Sequence, residues 1–368
     1  MSEPAASPPP ETAAAQPPPL RSVHTASFAE ILRQFRISLL VSTYQAGKLV
    51  ILRAGPDGGV NTHFRGFNKP MGVAAAGDRL AVGTALEIWE FHNVPAVAEK
   101  LEPAGRHDAC YLPRAASVTG NVQIHEMVWA GGELWFVNTR FSCLSTPSST
   151  YSFVPRWRPP FISALAPDDR CHLNGIGLRD GQPRYVTALG ATDAPAGWRE
   201  NKKQGGVLMD LASNAILAGG LSMPHSPRWY DGRLWLLESG TGTLGLMDLR
   251  AGKYEPVAEM PGFTRGLDFC GPLAFVGLSQ VRETAIFSGI AITERPVQRQ
   301  CGVWVVDLPS GRIAAFLRFE EAVQEIFSVQ VLPGYCFPDV INDDPPRIAD
   351  SFVLPDQALG DVPQPLRR

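Results

Sequence analysis

The chain has 368 residues, of which 45% are hydrophobic and 19% charged, so it can bury a large core and lacks the composition of a disordered protein. Its net charge of −3 comes from 33 basic and 36 acidic residues; it predicts no basic face and argues against a nucleic-acid partner. No apolar stretch approaches the ~18 residues of a membrane-spanning helix, so no membrane partner is expected.

Two features bear on where the protein works. Residues 1–26 are rich in Pro and Ala, which is typical of a disordered tail and not of a secretory signal. The six cysteines are scattered and include no CxxC pair. A chain of this length needs no disulfide framework, so we interpret them as mostly buried thiols in a reducing cytoplasm. Pairing after export is the alternative.

One amphipathic helix is predicted directly after the tail. Ser27 and Glu30 have the spacing of a capping box, and apolar residues follow at helical spacing through Phe35. We expect this short helix to cover one end of a sheet structure.

A β-hairpin pattern then recurs at intervals of about 40 to 55 residues. In each copy, a short apolar strand is followed by a Gly- or Asp-bearing turn and a second apolar strand that ends in small polar residues. The copies start at Met71, Glu126, Asn174, Ser226 and Gly266. A half-copy at Ile326 lacks its partner strand, and a matching strand occurs near the other end of the chain, at Leu39.

A second hairpin pattern follows some of these copies, with an Asp before its turn. Asp210, Asp248 and Asp307 hold this place, and we expect their carboxylates to tie the turns by hydrogen bonds to the backbone. Two hairpins make one four-stranded blade. The sequence therefore predicts an all-β, six-bladed β-propeller over residues 27–337, closed by N-terminal strands, with an irregular tail over 338–368. Five or seven blades also fit the spacing.

Three inserts of about residues 94–121, 140–171 and 283–300 interrupt the repeats, and loops on a rigid scaffold commonly carry functional sites. The first insert contains His107 and Asp108. These residues could form a catalytic acid–base pair on a lid over the channel. The alternative, which fits the sequence equally well, is that His107 and Asp108 anchor the loop.

Five stretches carry a resemblance to known proteins: HEMVWAGGELWFVNTRFSCL, SFVPRWRPPFI, CHLNGIGL, PHSPRWYDGRLWLLESGTG and GFTRGLDF. On these, from about residue 27 to 335, the chain resembles a family of bacterial proteins catalogued as conserved hypothetical, which implies no particular activity. By architecture alone it also looks like the gluconolactonase and NHL-type six-bladed propellers. Their metal sites typically use carboxylates and amides, whereas the matching positions here carry histidine.

In a propeller, side chains at the start of each innermost strand converge on the mouth of the central channel. His125, His172 and His225 occupy nearly the same position in three of the six predicted blades. We interpret them as ligands of a transition metal, with Glu325 or His107 as a fourth ligand; Fe and Cu are favoured and Zn also fits imidazole. The alternative is that each ring caps a strand by bonding to the backbone.

Other side chains near the strand starts are candidates for a supporting role. Glu126 follows His125 and could act as a catalytic group or orient an imidazole. Asn174, Arg228 and Arg265 are candidate substrate-binding residues, because an arginine at the channel can hold a carboxylate through two hydrogen bonds. Packing of an arginine over a tryptophan is the alternative.

Three functions compete at this stage. The first is a metal-dependent oxidoreductase of the oxygenase or hydroxylase type, acting on a small molecule or a peptide. The second is a hydrolase or lyase that acts on a lactone, a sugar or a related small molecule, through zinc-bound water or histidine acid–base chemistry. The third is a non-catalytic propeller that binds a protein partner. The sequence predicts no oligomeric state.

Overall fold

The computed structural model describes residues 20–281, 288–296 and 298–364, and these ranges fold mainly as antiparallel strands. Within them the strands form six sheets, four with four strands and two with five. One strand of each sheet lies innermost, and these six strands contact one another in a closed ring around a central channel. The predicted all-β, six-bladed β-propeller is therefore confirmed.

Most strands of the first three blades come from the N-terminal half of the chain. The described part begins with β1 (Ser22–His24) and α1 (Ala26–Gln34). The first blade contains β2 (Ile37–Thr43), β3 (Lys48–Ala54) and β4 (Val60–Gly66). The second contains β5 (Val73–Ala76), β6 (Arg79–Gly83), β7 (Glu87–Asn93) and, after helix α2 (Pro95–Ala98), β8 (Ala109–Val118). The third contains β9 (Ile124–Ala130), β10 (Glu133–Asn138), β11 (Cys143–Thr146) and β12 (Val154–Trp157).

The other three blades follow in the same order. The fourth contains β13 (Leu173–Arg179), β14 (Gln182–Ala188), β15 (Gly206–Asp210) and β16 (Ile216–Leu221), with a 3₁₀ helix at Gly197–Asn201. The fifth contains β17 (Pro224–Tyr230), β18 (Arg233–Glu238), β19 (Thr243–Asp248) and β20 (Lys253–Glu259). The sixth contains β21 (Phe263–Cys270), β22 (Leu273–Ser279), β23 (Gly302–Asp307) and β24 (Arg312–Phe319), with helix α3 (Ala291–Glu294) between β22 and β23.

The ring is closed by strands from both ends of the chain. The C-terminal β25 (Ser328–Pro333) is the innermost strand of the first blade and pairs with β2, in a register that runs from Ile37 opposite Pro333 to Ser42 opposite Ser328. This pairing confirms the prediction that the half-copy near Ile326 completes the N-terminal strands. It also removes two exposed strand edges from the sheet system.

Helix α1 covers the junction between the first and sixth blades. Its buried face, which includes Phe28 and Leu32, packs in one cluster with apolar side chains of β2, β22 and β23. The predicted capping box is wrong, because the N-cap is Thr25 and no side chain caps the helix. Thr25 N donates to Phe316 O at 3.1 Å, so pairing with β24 keeps the chain extended to this point. The Ser27 hydroxyl instead donates to Ala314 O at 3.0 Å.

The turn aspartates act as the sequence predicts. Asp210 Oδ1 accepts hydrogen bonds from the backbone N–H of Ala212 and Ser213 at 2.8 and 3.1 Å. Asp248 Oδ1 accepts from the two equivalent N–H groups of its own turn at 2.8 and 3.0 Å. Asp307 accepts from Ser310 N at 3.1 Å. Each carboxylate therefore fixes the turn between the last two strands of its blade.

The three predicted inserts form different elements of the structure. The first, 94–121, supplies helix α2 and strand β8, which is the fourth strand of the second blade. The second, 140–171, supplies β11 and β12 of the third blade. Residues 282–287 and 297 of the third insert lie outside the described residues. Its described part includes α3, where Ile292 N donates to Gly240 O at 2.9 Å.

The C-terminal segment returns to the second blade. Strand β26 (Pro338–Val340) pairs in parallel with β8 and lies in the segment that sequence analysis assigned to the irregular tail. Two short helices follow, α4 (Pro345–Ala349) and α5 (Asp356–Leu359). None of the helices that the structure describes is long and apolar enough to cross a membrane.

Candidate functional site

The start of the innermost strand is distorted by a β-bulge in several blades. In β9, β17 and β21 two residues of the innermost strand lie opposite one residue of the neighbouring strand, between Ile124 and Met127, His225 and Arg228, and Thr264 and Leu267. Bulges redirect side chains and interrupt the alternation of a strand. They therefore explain how residues at the strand starts turn into the channel mouth.

His125 and His225 are held by the same set of contacts in two different blades. The Nδ1 of His125 lies 3.1 Å from Gln123 O and 2.8 Å from Thr139 Oγ1. The Nδ1 of His225 lies 2.9 Å from both Met223 O and Ser239 Oγ. In each blade the carbonyl is two residues before the histidine and the hydroxyl is 14 residues after it. The same hydrogen-bond arrangement therefore orients both imidazole rings.

These contacts determine which nitrogen of each ring carries the proton. A carbonyl oxygen can only accept, so Nδ1 must donate. Thr139 Oγ1 already donates its single hydrogen to Leu173 O at 2.6 Å, and Ser239 Oγ donates to Thr264 O at 2.5 Å, so both hydroxyls also accept from Nδ1. A neutral ring that is protonated at Nδ1 has its lone pair on Nε2.

Both rings are neutral at pH 7. Burial lowers the pKa of His125 well below its ordinary value, and the nearby charge of Arg265 lowers it further. Burial and Arg265, in the same order, lower the pKa of His225. The rings are 6% and 4% exposed. Neither Nε2 has a hydrogen bond to another residue in the part of the chain that the structure describes, so each lone pair can accept a hydrogen bond or bind a metal.

His172 is oriented by a carboxylate. Its Nδ1 lies 3.0 and 2.9 Å from the two oxygens of Asp169, three residues earlier in the chain. Trp198 Nε1 donates to the same carboxylate at 3.1 Å. His172 itself has a φ of 50°, a left-handed backbone conformation that is uncommon for a residue other than glycine. The Asp169–His172 pair is thus a second way of orienting Nδ1 toward an acceptor, so that Nε2 faces the cavity side of the ring.

Four aromatic rings form a continuous row, which we call the ring row: Phe327, His125, His172 and Trp198. The ring centroids of Phe327 and His125 are 5.0 Å apart, those of His125 and His172 4.7 Å, and those of His172 and Trp198 4.5 Å. The guanidinium of Arg265 lies 3.5 Å from the Phe327 centroid, and that of Arg199 lies 5.1 Å from the Trp198 centroid. The ring row therefore has a cation at each end, Arg265 beside Phe327 and Arg199 beside Trp198.

The ring row lines a cavity of about 400 Å³ at the channel mouth, which we call the channel cavity. His225 lies on its wall with Phe263, whose ring centroid is 5.7 Å away. The described lining is completed by Tyr44, Lys69, Met71, Ala85, Asn121, Gln123, Asp169, Leu189, Arg199, Met223 and Arg265. This volume is at the low end of the range for small-molecule sites, so the cavity suits a small ligand.

The structure brings the three histidines to one cavity but does not place them as a compact metal-binding group. Among the described residues no group of three or more His, Cys, Asp or Glu side chains is arranged to hold a metal ion. Of the two residues expected as a fourth ligand, Glu325 lies beside the Tyr44 hydroxyl, and His107 is outside the described lining of the cavity. Burial and this neighbouring carboxylate raise the pKa of Tyr44 to about 12. Metal binding by these residues remains a prediction.

Arg265 lies on the cavity wall, where its guanidinium stacks on Phe327. Burial lowers its pKa to about 10, which still leaves it charged at pH 7. Among the residues that the structure describes, it has neither a hydrogen-bond partner nor an ion pair within 4.0 Å. The cavity therefore contains a cation with free N–H groups.

Glu126 and Arg228 are placed together, away from the described lining of the cavity. Glu126 accepts from Arg228 Nη1 and Nη2 at 3.2 and 3.1 Å, from Ile176 N at 2.9 Å and from Ser226 Oγ at 2.6 Å. Arg228 Nε also donates to Leu267 O at 3.0 Å. This network joins four consecutive blades along the channel, so both side chains have a structural role here.

The side chain of Asn174 also makes hydrogen bonds within the propeller. Its Nδ2 donates to Pro224 O at 3.0 Å, and its Oδ1 accepts from Thr187 Oγ1 at 2.7 Å. The side chain is 1% exposed. It links the fourth and fifth blades and is outside the described lining of the channel cavity.

His107 and Asp108 lie at the outside edge of the second blade, just before β8. Asp108 accepts from Cys336 N and Phe337 N at 2.5 and 3.0 Å, and therefore anchors the C-terminal segment. His107 Nε2 is 4.0 Å from Asp339, whose carboxylate pairs with Arg65 at 2.7 Å. Of the two alternatives from the sequence, these contacts match the loop anchor.

Several residues of the site were missed by sequence reasoning. Asp169 is the most important, and its signal was its position three residues before His172. The Thr139 and Ser239 hydroxyls had a clearer signal, because each follows a candidate histidine by 14 residues. Tyr44 and Phe327 come from the two ends of the chain, so no local pattern connects them.

The fold and the site define a six-bladed β-propeller with a histidine-lined cavity at the mouth of its channel. The chain belongs to a family described as a domain of unknown function (DUF4915), whose model matches residues 26–341. No curated protein sequence matches the chain.

Solved structures resemble the fold at low sequence identity. A chain of the nidogen/laminin complex is 10% identical with a TM-score of 0.52, and the match covers 82% of this chain and 100% of that chain. Virginiamycin B lyase from Staphylococcus aureus is 10% identical with a TM-score of 0.38, covering 74% of this chain and 73% of that one. At 10% identity, the likeness to the chain of the nidogen/laminin complex shows the fold alone.

Proposed function

We propose that the protein is an enzyme that performs acid–base chemistry on a small molecule in the channel cavity, with His172 as the proton-transferring group. The observation that carries this proposal is the pairing of His172 Nδ1–H with Asp169 at 2.9 Å in the wall of the cavity. A histidine oriented by a carboxylate presents Nε2 to a substrate, and the carboxylate stabilises the imidazolium that forms when Nε2 takes a proton.

His172 is favoured over the other two rings by its partners. His125 and His225 donate to uncharged oxygens, and burial together with Arg265 lowers the pKa of each. They are therefore poor bases but good hydrogen-bond acceptors, suited to positioning an O–H or N–H group of a substrate. The reaction class that needs only these groups is a lyase or hydrolase reaction, in which one proton is removed and returned.

A metal-dependent oxidoreductase remains the second candidate. It is favoured by the shared orientation of the three rings, because each Nδ1–H is anchored and each Nε2 is left as a lone pair, as in histidine-ligated metal sites. Fe, Cu or Zn would suit such nitrogen donors. Elemental analysis of protein purified without a histidine tag, beside a triple His125→Gln, His172→Gln, His225→Gln variant, tests this candidate directly.

The acid–base proposal is tested by turnover. Purified protein is incubated with panels of lactones, esters and β-substituted carboxylates, with EDTA present, and products are detected by mass spectrometry. We expect at least one class to react and His172→Gln to lower its rate by about 10²- to 10⁴-fold. His63→Gln, which changes a histidine outside the cavity, is the matched control. Equal rates for the wild type and His172→Gln would contradict the proposal.

We further propose that the protein works in a reducing compartment such as the cytoplasm. All six cysteines lie within the described residues and are free, and four of them are buried. Burial raises the pKa of Cys110 and Cys171 to about 12, so both are held as unreactive thiols. Mass spectrometry of protein alkylated under native and denaturing conditions, without reductant, should count six free thiols.

A further inference from the structure

Resting on the proposed acid–base function, we infer that the channel cavity takes a small organic carboxylate, whose anionic group is bound by Arg265 and whose apolar part lies against the ring row.

The first support is the state of the Arg265 side chain. Its guanidinium stacks on Phe327 at 3.5 Å, which engages its flat face and leaves its in-plane N–H groups without a partner among the described residues. The carboxylates of Glu325 and Glu126 attract this charge, but neither forms an ion pair with it within 4.0 Å. A buried cation without a direct partner is costly, and a bound anion offsets that cost. The planar N–H fork of arginine matches the two oxygens of a carboxylate.

The second support is the charge balance of the cavity wall. Its described lining contains three basic side chains, Lys69, Arg199 and Arg265, and one acidic one, Asp169. Asp169 already accepts from His172 and from Trp198 Nε1. The net charge of this lining is therefore positive, which attracts an anion from solution.

The third support is the geometry between the cation and the proposed base. Arg265 stacks on one end of the ring row, and His172 is the third ring along it, after Phe327 and His125. A ligand whose carboxylate is held by Arg265 would thus extend along the ring row, past Phe327 and His125, toward His172. Binding of the carboxylate by Arg265 would fix the distance between His172 and the reacting atom of the ligand. Remote binding groups commonly orient substrates in this way.

The test compares phenylacetate with its uncharged analogue phenylacetamide, by ligand titration followed with NMR. We expect phenylacetate to bind at least about tenfold more tightly than phenylacetamide. We expect Arg265→Gln to remove this preference and Arg265→Lys to keep part of it. Arg179→Gln, which changes a cation that stacks on Trp229 outside the cavity, should keep the preference in full. The Arg265 Nε–H resonance of the wild type should shift on addition of phenylacetate.

Three results would overturn the inference: equal affinities for the two probes, a preference that survives in folded Arg265→Gln protein, or no phenylacetate binding up to about 10 mM. If Arg265→Gln fails to fold, an Arg265 Nε–H resonance that does not move in the wild type overturns it instead. Failure of the proposed function is distinguishable, because His172→Gln would then leave turnover unchanged while the Arg265-dependent carboxylate preference persists.

Discussion

The carboxylate of Asp169 accepts the Nδ1–H of His172 at 2.9 Å, and both side chains are 16% exposed. Of the three histidines in the channel cavity, His172 is the one oriented by a charge, while His125 and His225 are oriented by a hydroxyl and a backbone carbonyl. This difference divides the roles: one ring can exchange a proton, and two can accept hydrogen bonds from a substrate.

Replacement of the orienting carboxylate should weaken both the site and the fold. Asp169→Asn keeps the size of the side chain but removes the charge that His172 and Trp198 contact. We expect the free energy of unfolding, measured with urea, to fall by about 1 to 3 kcal/mol. Asp180→Asn, at a carboxylate that is 90% exposed, is the control and should change it by less than about 0.5 kcal/mol. Similar values for the two variants would show that the pair is not formed.

Stability should depend on pH through the buried histidines. The pKa values of His125 and His225 are lowered in the folded protein, so below pH ~6.5 the unfolded chain binds protons that the folded rings do not. The free energy of unfolding should therefore fall on acidification, by up to about 1.4 kcal/mol per pH unit for each ring. Above pH ~7.5 this contribution to the pH dependence vanishes, because neither state binds the protons.

Urea unfolding between about pH 8 and pH 5, with EDTA present, measures this slope. The His125→Gln, His225→Gln double variant should flatten it. His107, whose pKa burial also lowers, acts in the same direction, so some slope should remain. His92→Gln, which removes a ring that is 42% exposed, is the control. A slope that is unchanged in the double variant would contradict the burial argument.

The buried pair of Glu126 and Arg228 should behave as one unit. Glu126→Gln leaves the Arg228 guanidinium without its counterion, and removal of one partner from such a pair typically costs about 3 to 5 kcal/mol. Adding Arg228→Met should recover part of this loss, because the uncompensated charge is then gone. A double-mutant cycle by urea unfolding checks the coupling. Strictly additive effects would mean that the two side chains do not interact.

Arg265 should strengthen ligand binding but lower the free energy of unfolding. Burial lowers its pKa to about 10, which reflects the unfavourable transfer of its charge from water. Arg265→Met keeps an apolar stem against Phe327 and removes that charge, so we expect the free energy of unfolding to rise by about 1 kcal/mol. The corresponding change at Arg199, Arg199→Met, is the control. Loss of stability in Arg265→Met would indicate that the cation has a structural partner.

The sequence predicted the fold because each blade repeats its own signals. Short apolar strands, turn glycines and the aspartates of the last turns recur locally, and Asp210 and its equivalents act as expected. The capping box failed because pairing of the Thr25 backbone with β24 set the start of the helix, and that is a tertiary contact. Local patterns therefore identify the elements, while their ends depend on neighbours far away in the chain.

The site was predicted in part for the same reason. The repeat placed His125, His172 and His225 at equivalent strand starts, and the structure brings all three to one cavity. Glu126 and Arg228 are 102 residues apart, so no local sequence pattern indicates that they pair. Because they bind each other, neither is available for the catalytic or substrate-binding role that the sequence suggested. Alternation along a strand also fails at a β-bulge, and bulges occur at the channel mouth.

The central claim is that the three rings of the cavity present an unprotonated Nε2, with His172 held by Asp169. Long-range ¹H–¹⁵N NMR of selectively ¹⁵N-histidine-labelled protein at about pH 7.5, assigned with single His→Gln variants, measures the protonation of each ring nitrogen. We expect a protonated Nδ1 and an unprotonated Nε2 for all three rings, and a shift of the His172 nitrogens in Asp169→Asn. A protonated Nε2 on His172, or no response to Asp169→Asn, would contradict this claim.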